Sequence, residues 1–438
     1  MNESDKIKVV WLCHFSNEEV RQLYPRKTKR PLYKFARKIL GLHKKEEFGV
    51  DFAAWITAGI EEVRKHDDLE LHIVSPQTDM KGLCCEFESH GVYYHFYNPN
   101  WTLLMMNLVK NLNLWLKLQN SSCFAKRFIK KIKPDIVDLI GVENIYHSCA
   151  ILYLDEAIPK MITLQTFYSN PDTLQLRPYK INSLNWKLER KLLPQYHYFN
   201  LTSLQYKKLL LEINPNAVTF SFSFMAIKLP QIEEVEKEYD FINFASGLGK
   251  PKGPLDTLHA LAIVKKQYPN VRLNFSGKIE GTGVEKKDYD ELIEKYGLQD
   301  NVSFTSYHET QRDLFRHIKK ARFAVLPIYF DIVPGTLIQA MYYELPAVTY
   351  ATYGTPNINK DDERILIAER GNVEQLAEKM LILLDNPQTA EVLKKKAKEW
   401  ADIRFDNTRL YYRLLEGYKA VIAHEKLGNP IPERLLLK

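Results

Sequence analysis

Apolar residues in this chain concentrate in short, mostly apolar runs separated by amphipathic stretches. Residues 8–15 open the series, and 69–74, 93–97, 133–141, 159–166, 198–203 and 217–222 continue it. Runs of this length, apolar on both faces, predict buried strands of a parallel sheet. Helices are expected around 52–64 and over 102–118, where Leu104, Leu108, Leu112 and Trp115 share one face. The second half alternates more cleanly. Its strands are expected at 240–245, 271–276, 302–307, 323–328, 346–351 and 365–368. Its helices are expected at 254–268, 285–296, 311–320 and 335–343, followed by a helical tail at 373–384, 389–401 and 407–423. This α/β alternation occurs twice, without a sequence repeat, and predicts two sheets each covered by helices on both faces. The domains are expected at 1–222 and 239–404, with a linker at 223–238 and a terminal segment at 405–438.

With 438 residues, 45% hydrophobic and 26% charged, the chain can bury two full cores. Its net charge of +7 is unevenly spread. Residues 26–45 carry nine cations and no acid, inside a segment (22–48) that interrupts the first crossover. There Leu32, Phe35, Ala36, Ile39 and Leu40 share a helical face, the composition of a helix lying on an anionic membrane surface. A second basic cluster comprises Lys126, Arg127, Lys130, Lys131 and Lys133. No nucleic-acid motif accompanies either cluster, so nucleic acid is not an expected partner. Five cysteines without metal or disulfide spacing predict reduced thiols and a cytoplasmic location, at the inner face of a membrane where the basic segment holds it. No signal peptide is expected, and the span 102–118 holds too many polar residues to cross a bilayer.

Two stretches carry candidate chemistry. Residues 323–328 form a buried strand, followed by Asp331-Ile332-Val333-Pro334-Gly335-Thr336-Leu337-Ile338-Gln339-Ala340-Met341 and a second apolar run. A helix starting near Gly335 aims free N–H groups and a positive dipole end at whatever lies in front of it. Pro334 restricts the loop, Gly335 admits a ligand close to the backbone, and Gln339 leans back from one turn further on. Asp331 hangs off the strand end opposite. The second stretch is Ser246-Gly247-Leu248-Gly249-Lys250-Pro251-Lys252-Gly253, a glycine-rich turn whose lysines can neutralise a diphosphate. Together they suit a phosphate flanked by hydroxyl-rich groups, as in a nucleotide sugar.

Asp331, seven residues, Gln339 and Ala340-Met341 resemble the donor-site signature of retaining GT-B glycosyltransferases of the family-4 type (glycosyl transferases group 1). The resemblance covers most of 240–404 and includes Leu248 and Lys252-Gly253. Over 1–222 it extends only to the order of elements. It implies two Rossmann-like domains facing across a cleft, with the last helix crossing back to the first domain. It implies retaining transfer from a nucleotide-diphosphate sugar, UDP-sugar favoured, to a glycan or lipid-linked saccharide in surface polysaccharide or glycolipid biosynthesis, with no metal and no cofactor. Lys252 and Asp331 would be catalytic. Gly247, Lys250, Tyr307, Pro334, Gly335, Thr336, Leu337 and Gln339 would complete the donor site, and His14, Glu143 and Gln165 would line the other domain's ligand end. The key letters depart from the family's: Gln339 replaces a glutamate, Ser246 and Gly247 replace Gly-Arg, and Gln165 stands where relatives often have histidine. A non-catalytic nucleotide-sugar-binding module and a nucleotide-sugar epimerase are the alternatives.

Overall fold

The computed structural model describes residues 6–26, 53–100, 110–164, 168–170, 184–201, 203–222, 225–226, 228–279, 282–305, 308, 310–329 and 334–438. The chain divides into two compact units. Unit 1 is Met1–Thr202, Tyr206–Ile227 and Asp406–Lys438, and unit 2 is Ser203–Gln205 and Lys228–Phe405.

Unit 1 contains strands β1 (Ile7–Leu12), β2 (Leu69–Pro76), β3 (Cys84–Ser89), β4 (Val92–Tyr97), β5 (Ile136–Ile140), β6 (Lys160–Thr163), β7 (Tyr198–Asn200) and β8 (Val218–Phe220). They form one sheet in the order β3-β4-β2-β1-β5-β6-β7-β8. Every neighbouring pair is parallel except β3 with β4. That antiparallel edge corrects the all-parallel expectation. Its cause is the two-residue turn His90-Gly91, both at positive φ (51° and 77°), which folds Ser89 back onto Val92.

Helix α1 (Ala54–Val63) lies in the crossover from β1 to β2, and helix α2 (Lys110–Ile132) precedes β5. The expected helix 102–118 therefore runs well past Leu118, while 101–109 lie outside the described residues. Ser122, which looks like a breaker, bonds its hydroxyl back to Leu118 O at 2.9 Å and leaves the helix intact. Ala125, Phe128, Ile129 and Ile132 are buried on one stripe of its C-terminal half.

The terminal segment belongs to unit 1. Tyr411, Leu415, Tyr418 and Val421, on its long helix, pack into the same core as Val9, Trp11, Ile56 and Phe222. Trp11 Nε1 donates to the Tyr418 hydroxyl (2.9 Å), which donates to Asp138 Oδ2 (2.7 Å). Asp138 sits in mid-β5, and burial pushes its carboxyl up to about 7 against the hydrogen bonds of Tyr418 and Thr163.

Unit 2 contains β9 (Tyr239–Gly247), β10 (Leu273–Lys278), β11 (Val302–Thr305), β12 (Ala321–Leu326), β13 (Ala347–Tyr350) and β14 (Leu366–Ala368). The order is β11-β10-β9-β12-β13-β14, parallel throughout. Successive residues serve opposite faces, as strand geometry requires. Phe241, Phe323 and Val348 join one core, while Ile242, Ala324 and Ala347 join the other. The first core packs on helix α3 (Pro254–Val264) and the helix Val373–Asp385. The second packs on helix α4 (Gly335–Tyr342) and the helix Pro387–Arg404. The last helix, α5 (Asn407–Leu427), is the one that carries Tyr418 back into unit 1. Among the described residues no helix is long and apolar enough to cross a membrane. The basic segment 27–45 lies outside the described residues.

Candidate functional site

In unit 2 the strand order reverses at β9. Its crossover leads to β10 on one side, while β12 lies on the other. Open parallel sheets bind ligands in the crevice beyond the carboxyl ends of the strands at such a reversal. Both stretches singled out in the sequence leave the sheet there. The glycine-rich turn follows β9, and the segment leading to α4 follows β12.

Backbone contacts bolt these two exits together. Gly253 lies in the left-handed region (φ +59°), and a Cβ there would sit 2.2 Å from Pro327 O, just past β12. Tyr329 N donates to Pro251 O at 3.0 Å. Asp256, in the first turn of α3, accepts the hydroxyls of Tyr329 (2.6 Å) and Tyr350 (2.8 Å). Gly249 passes so near Thr282 O that a Cβ would come within 2.4 Å, and Tyr289 donates to Leu248 O at 2.8 Å. The turn is thus held from three sides, with Lys250 exposed and Lys252 half-buried on it.

The mouth of α4 completes the site. Its N-cap is Pro334, which offers neither an N–H nor a side-chain cap. Leu337 N and Ile338 N both bond to Pro334 O, which leaves the amides of Gly335 and Thr336 without an intrahelical acceptor. Among the described residues, a Cβ on Gly335 would meet no protein atom within 4 Å. Thr336 Oγ1 is buried and has no hydrogen-bond partner among the described residues. Gln339 is half-exposed one turn on, on the Gly335 side, while Leu337 turns into the core. Gly247, Lys250, Lys252, Pro334, Gly335, Thr336 and Gln339 are therefore assembled around one reversal point. Leu337 contributes packing. Tyr307, Asp331 and Gln165 lie outside the described residues.

An Asp-x-Asp spacing escapes the sequence reading, at Asp288 and Asp290. Asp288 closes a capping box on Glu285, and Asp290 pairs with Lys286, so both carboxylates serve the start of their own helix. Among the described residues no group of three or more His, Cys, Asp or Glu is placed to hold a metal ion.

Unit 1 has the same reversal, at β1 and β5. His14 follows β1, and Gly141-Val142-Glu143 follow β5, so these expected residues share one sheet end. Gly141 (φ +81°) lets the Glu143 carboxylate fold back over it: a Cβ there would be 2.4 Å from Glu143 Oε1. Burial, with the charge of Glu189 nearby, pushes the Glu143 carboxyl up to about 7. Burial also lowers His14.

Sequence reasoning missed the residues that support this end. His147 Nε2 donates to Gly141 O (2.8 Å) and Ile140 O (3.1 Å), and burial lowers the ring to about 3, so it stays neutral. Glu189 is fully buried and accepts from Tyr168 N, Ser169 N and the Ser169 hydroxyl at 2.7–2.8 Å. Asn185 Nδ2 holds Glu143 O at 2.7 Å. Nothing in the local pattern distinguished Glu189 from a solvated helix charge.

Two parallel-sheet units, each with its ligand end at a strand-order reversal, define the chain as a two-domain α/β protein of the GT-B class. Within it, residues 226–400 match the family model of glycosyl transferases group 1. Solved structures agree in fold. Sucrose-phosphate synthase from Thermosynechococcus elongatus is 14% identical with a TM-score of 0.65, over 95% of this chain and 100% of that one. HepE from Anabaena, in complex with UDP and glucose, is 13% identical with a TM-score of 0.60, over 94% and 100%. WaaG, a glycosyltransferase involved in lipopolysaccharide biosynthesis, is 13% identical with a TM-score of 0.57, over 94% and 99%. A comparison with curated proteins gives no match.

Proposed function

We infer that this protein moves a sugar, with retention, from a nucleoside-diphosphate sugar to a glycan or lipid-linked saccharide in surface glycan or glycolipid assembly. A UDP-sugar is the favoured donor. The observation that carries this reading is the bolting of the Lys252 turn to the exit that leads to α4, at the reversal point of unit 2. Solved neighbours bound to UDP and glucose, or to UDP-2-fluoro glucose, support it.

In this reading the leaving diphosphate lies against α4. The Lys252 ammonium, the amides of Gly335 and Thr336 and the Thr336 hydroxyl stabilise its developing charge, as donors do in an oxyanion hole. Lys250 adds a second cation. Asp331 aligns donor-sugar hydroxyls, Gln339 holds the ribose diol and Tyr307 contacts the base. The acceptor attacks on the face the diphosphate leaves, and a phosphate oxygen takes its proton, so no metal or cofactor is called on. His14, Glu143 and Gln165 bind acceptor hydroxyls. The basic segment 26–45 holds the enzyme to an anionic membrane.

The test is a thermal-shift screen with UDP-, GDP-, ADP-, dTDP- and CMP-sugars, followed by product analysis with membrane extracts as acceptor. A donor at a hundred times its Kd should add about 2.7 kcal/mol of stability. Absence of any stabilising diphosphate donor overturns the reading. Stabilisation without a glycosylated product favours the binding module, which the glutamine at 339 motivates, and a new nucleotide sugar from donor alone marks an epimerase.

A further inference from the structure

The second basic cluster is not absorbed by the donor site. It lies on the exposed face of α2, where the pairs Lys126-Arg127 and Lys130-Lys131 stand one turn apart, with Lys133 immediately after the helix. Lys131 is spent on Glu86 (2.9 Å). The other four make no ion pair among the described residues. Lys133 adopts φ +53° as the left-handed residue that ends α2, with its N–H on Ile129 O at 3.0 Å.

Three of these cations wall a groove of about 660 Å³, and the opposite wall is Tyr153, Leu154, Asp155, Glu156 and Ile158. Tyr153 is 46% exposed, although it is a large aromatic. Hydrogen bonds brace the opposite wall: Asp155 Oδ1 accepts Ala157 N (3.1 Å), and Lys160 Nζ donates to Asp155 O and Ile158 O (2.6 and 2.8 Å). The groove opens beside Pro134, before β5 begins. β5 is five residues long, so the groove lies about 17 Å along the strand from Glu143, at the opposite end of the sheet.

The geometry points to a second glycan-binding site here, for an acidic saccharide chain. A planar bilayer cannot enter a concave groove. A chain of phosphates alone would meet Asp155 and Glu156 unfavourably. An acidic glycan uses every wall: carboxylates of the chain on Lys126, Lys130 and Lys133, sugar hydroxyls donating to Asp155 and Glu156, and a ring face against Tyr153. This assignment rests on the reading of the protein as a glycosyltransferase with a glycan acceptor. It adds a site that holds the chain away from the reacting end.

The test is binding of a hyaluronate octasaccharide to the intact protein by calorimetry, without donor. A neutral dextran octasaccharide, single-stranded DNA of similar charge and phosphatidylglycerol vesicles serve as comparisons. The expected result is hyaluronate binding that weakens as salt rises, little dextran binding, and a loss of about tenfold or more in Lys126→Gln/Lys130→Gln/Lys133→Gln. Tyr153→Ala, which leaves the charge untouched, should also weaken it several-fold. Circular dichroism and the donor-induced thermal shift should be unchanged in both variants. Equal affinity for DNA, binding of vesicles alone, or hyaluronate binding that survives the triple substitution overturns the assignment. If hyaluronate binds as expected while no donor stabilises the protein, the donor reading fails and the groove stands.

Discussion

Gly253 and Gly335 stand at the two sides of one candidate site and should respond oppositely to a single added methyl. Gly253 occupies φ +59°, and its Cβ would lie 2.2 Å from a backbone carbonyl, that of Pro327. A left-handed backbone costs an L-residue about 1–2 kcal/mol. Overfilling a packed position typically costs about 1–3 kcal/mol more. Gly253→Ala should therefore destabilise unit 2 by about 2–5 kcal/mol, since neither partner is a flexible side-chain end. Gly335 has no protein atom within 4 Å of its Cβ position among the described residues and no positive φ. Gly335→Ala should gain about 0.4–1 kcal/mol by restricting the unfolded chain. If a diphosphate rests against the mouth of α4, however, that methyl takes its space. Losing one hydrogen bond to a charged group costs about 1.5–3 kcal/mol, or about 10- to 100-fold in donor affinity. Urea unfolding and donor titration of both variants separate the effects. An unshifted urea midpoint in Gly253→Ala refutes the bolted turn. A stabilised Gly335→Ala protein that binds donor normally refutes the placement of the ligand.

Three further outcomes are expected. Lys252→Ala and Thr336→Val should each weaken donor binding, about 10- to 100-fold for the lysine, while Thr336→Val leaves stability unchanged or higher because it removes a hydroxyl already without a partner among the described residues; unaltered titrations in both variants would count against the site. In unit 1, His72 Nδ1 lies 3.0 Å from His95 Nε2, Glu70 (beside Lys8) and Glu86 (beside Lys131) flank the pair, and burial lowers His95 to about 4 and His72 in the same direction. Folded values below the unfolded 6.5 mean stability that is complete above pH 6.5 and is lost as pH falls toward 4, about 2–3 kcal/mol from His95; urea midpoints at pH 7, 5.5 and 4.5 should fall less steeply in His95→Gln, and parallel slopes would refute this. Tyr418→Phe should cost about 2–4 kcal/mol, since it strips a partner from Trp11 Nε1 and from Asp138. A carboxyl already raised to about 7 loses stability as pH rises through that value, so the deficit should be larger at pH 8 than at pH 5 by calorimetry.

The sequence was most informative where a strand is buried on both faces. β9, β10, β12 and β13 read directly as apolar runs, and the chemistry lies at their ends because parallel sheets place it there. β3 was not legible. It is a half-exposed edge strand joined by His90-Gly91, a pair that lacks the usual asparagine or aspartate signal. The continuation of α2 past Ser121-Ser122 depended on a side-chain bond no periodicity reveals. His147 and Glu189 act at the unit 1 ligand end through backbone groups many residues away, so only the tertiary structure identifies them. Asp138 reads as one polar letter in an apolar run, yet it is the acceptor that fastens α5.

The two units repeat one device with opposite electrostatics, and this bears on the reaction. Both reverse strand order beside their first strand and present ligand groups at that point. In unit 2 those groups are donors: two lysines, and two amides and a hydroxyl without a partner among the described residues, all suited to an anion. In unit 1 they are a carboxyl raised to about 7 and a histidine that burial keeps toward neutral. Such groups bind hydroxyls without attracting a phosphate, and the carboxyl can exchange a proton near neutral pH. A reaction that needs a diphosphate held in one place and a sugar hydroxyl in another matches that division. A protein that merely bound nucleotide sugars would need only the first half, so Glu143→Gln decides between them. It should preserve donor binding in either case, and reduce transfer only if unit 1 handles the acceptor.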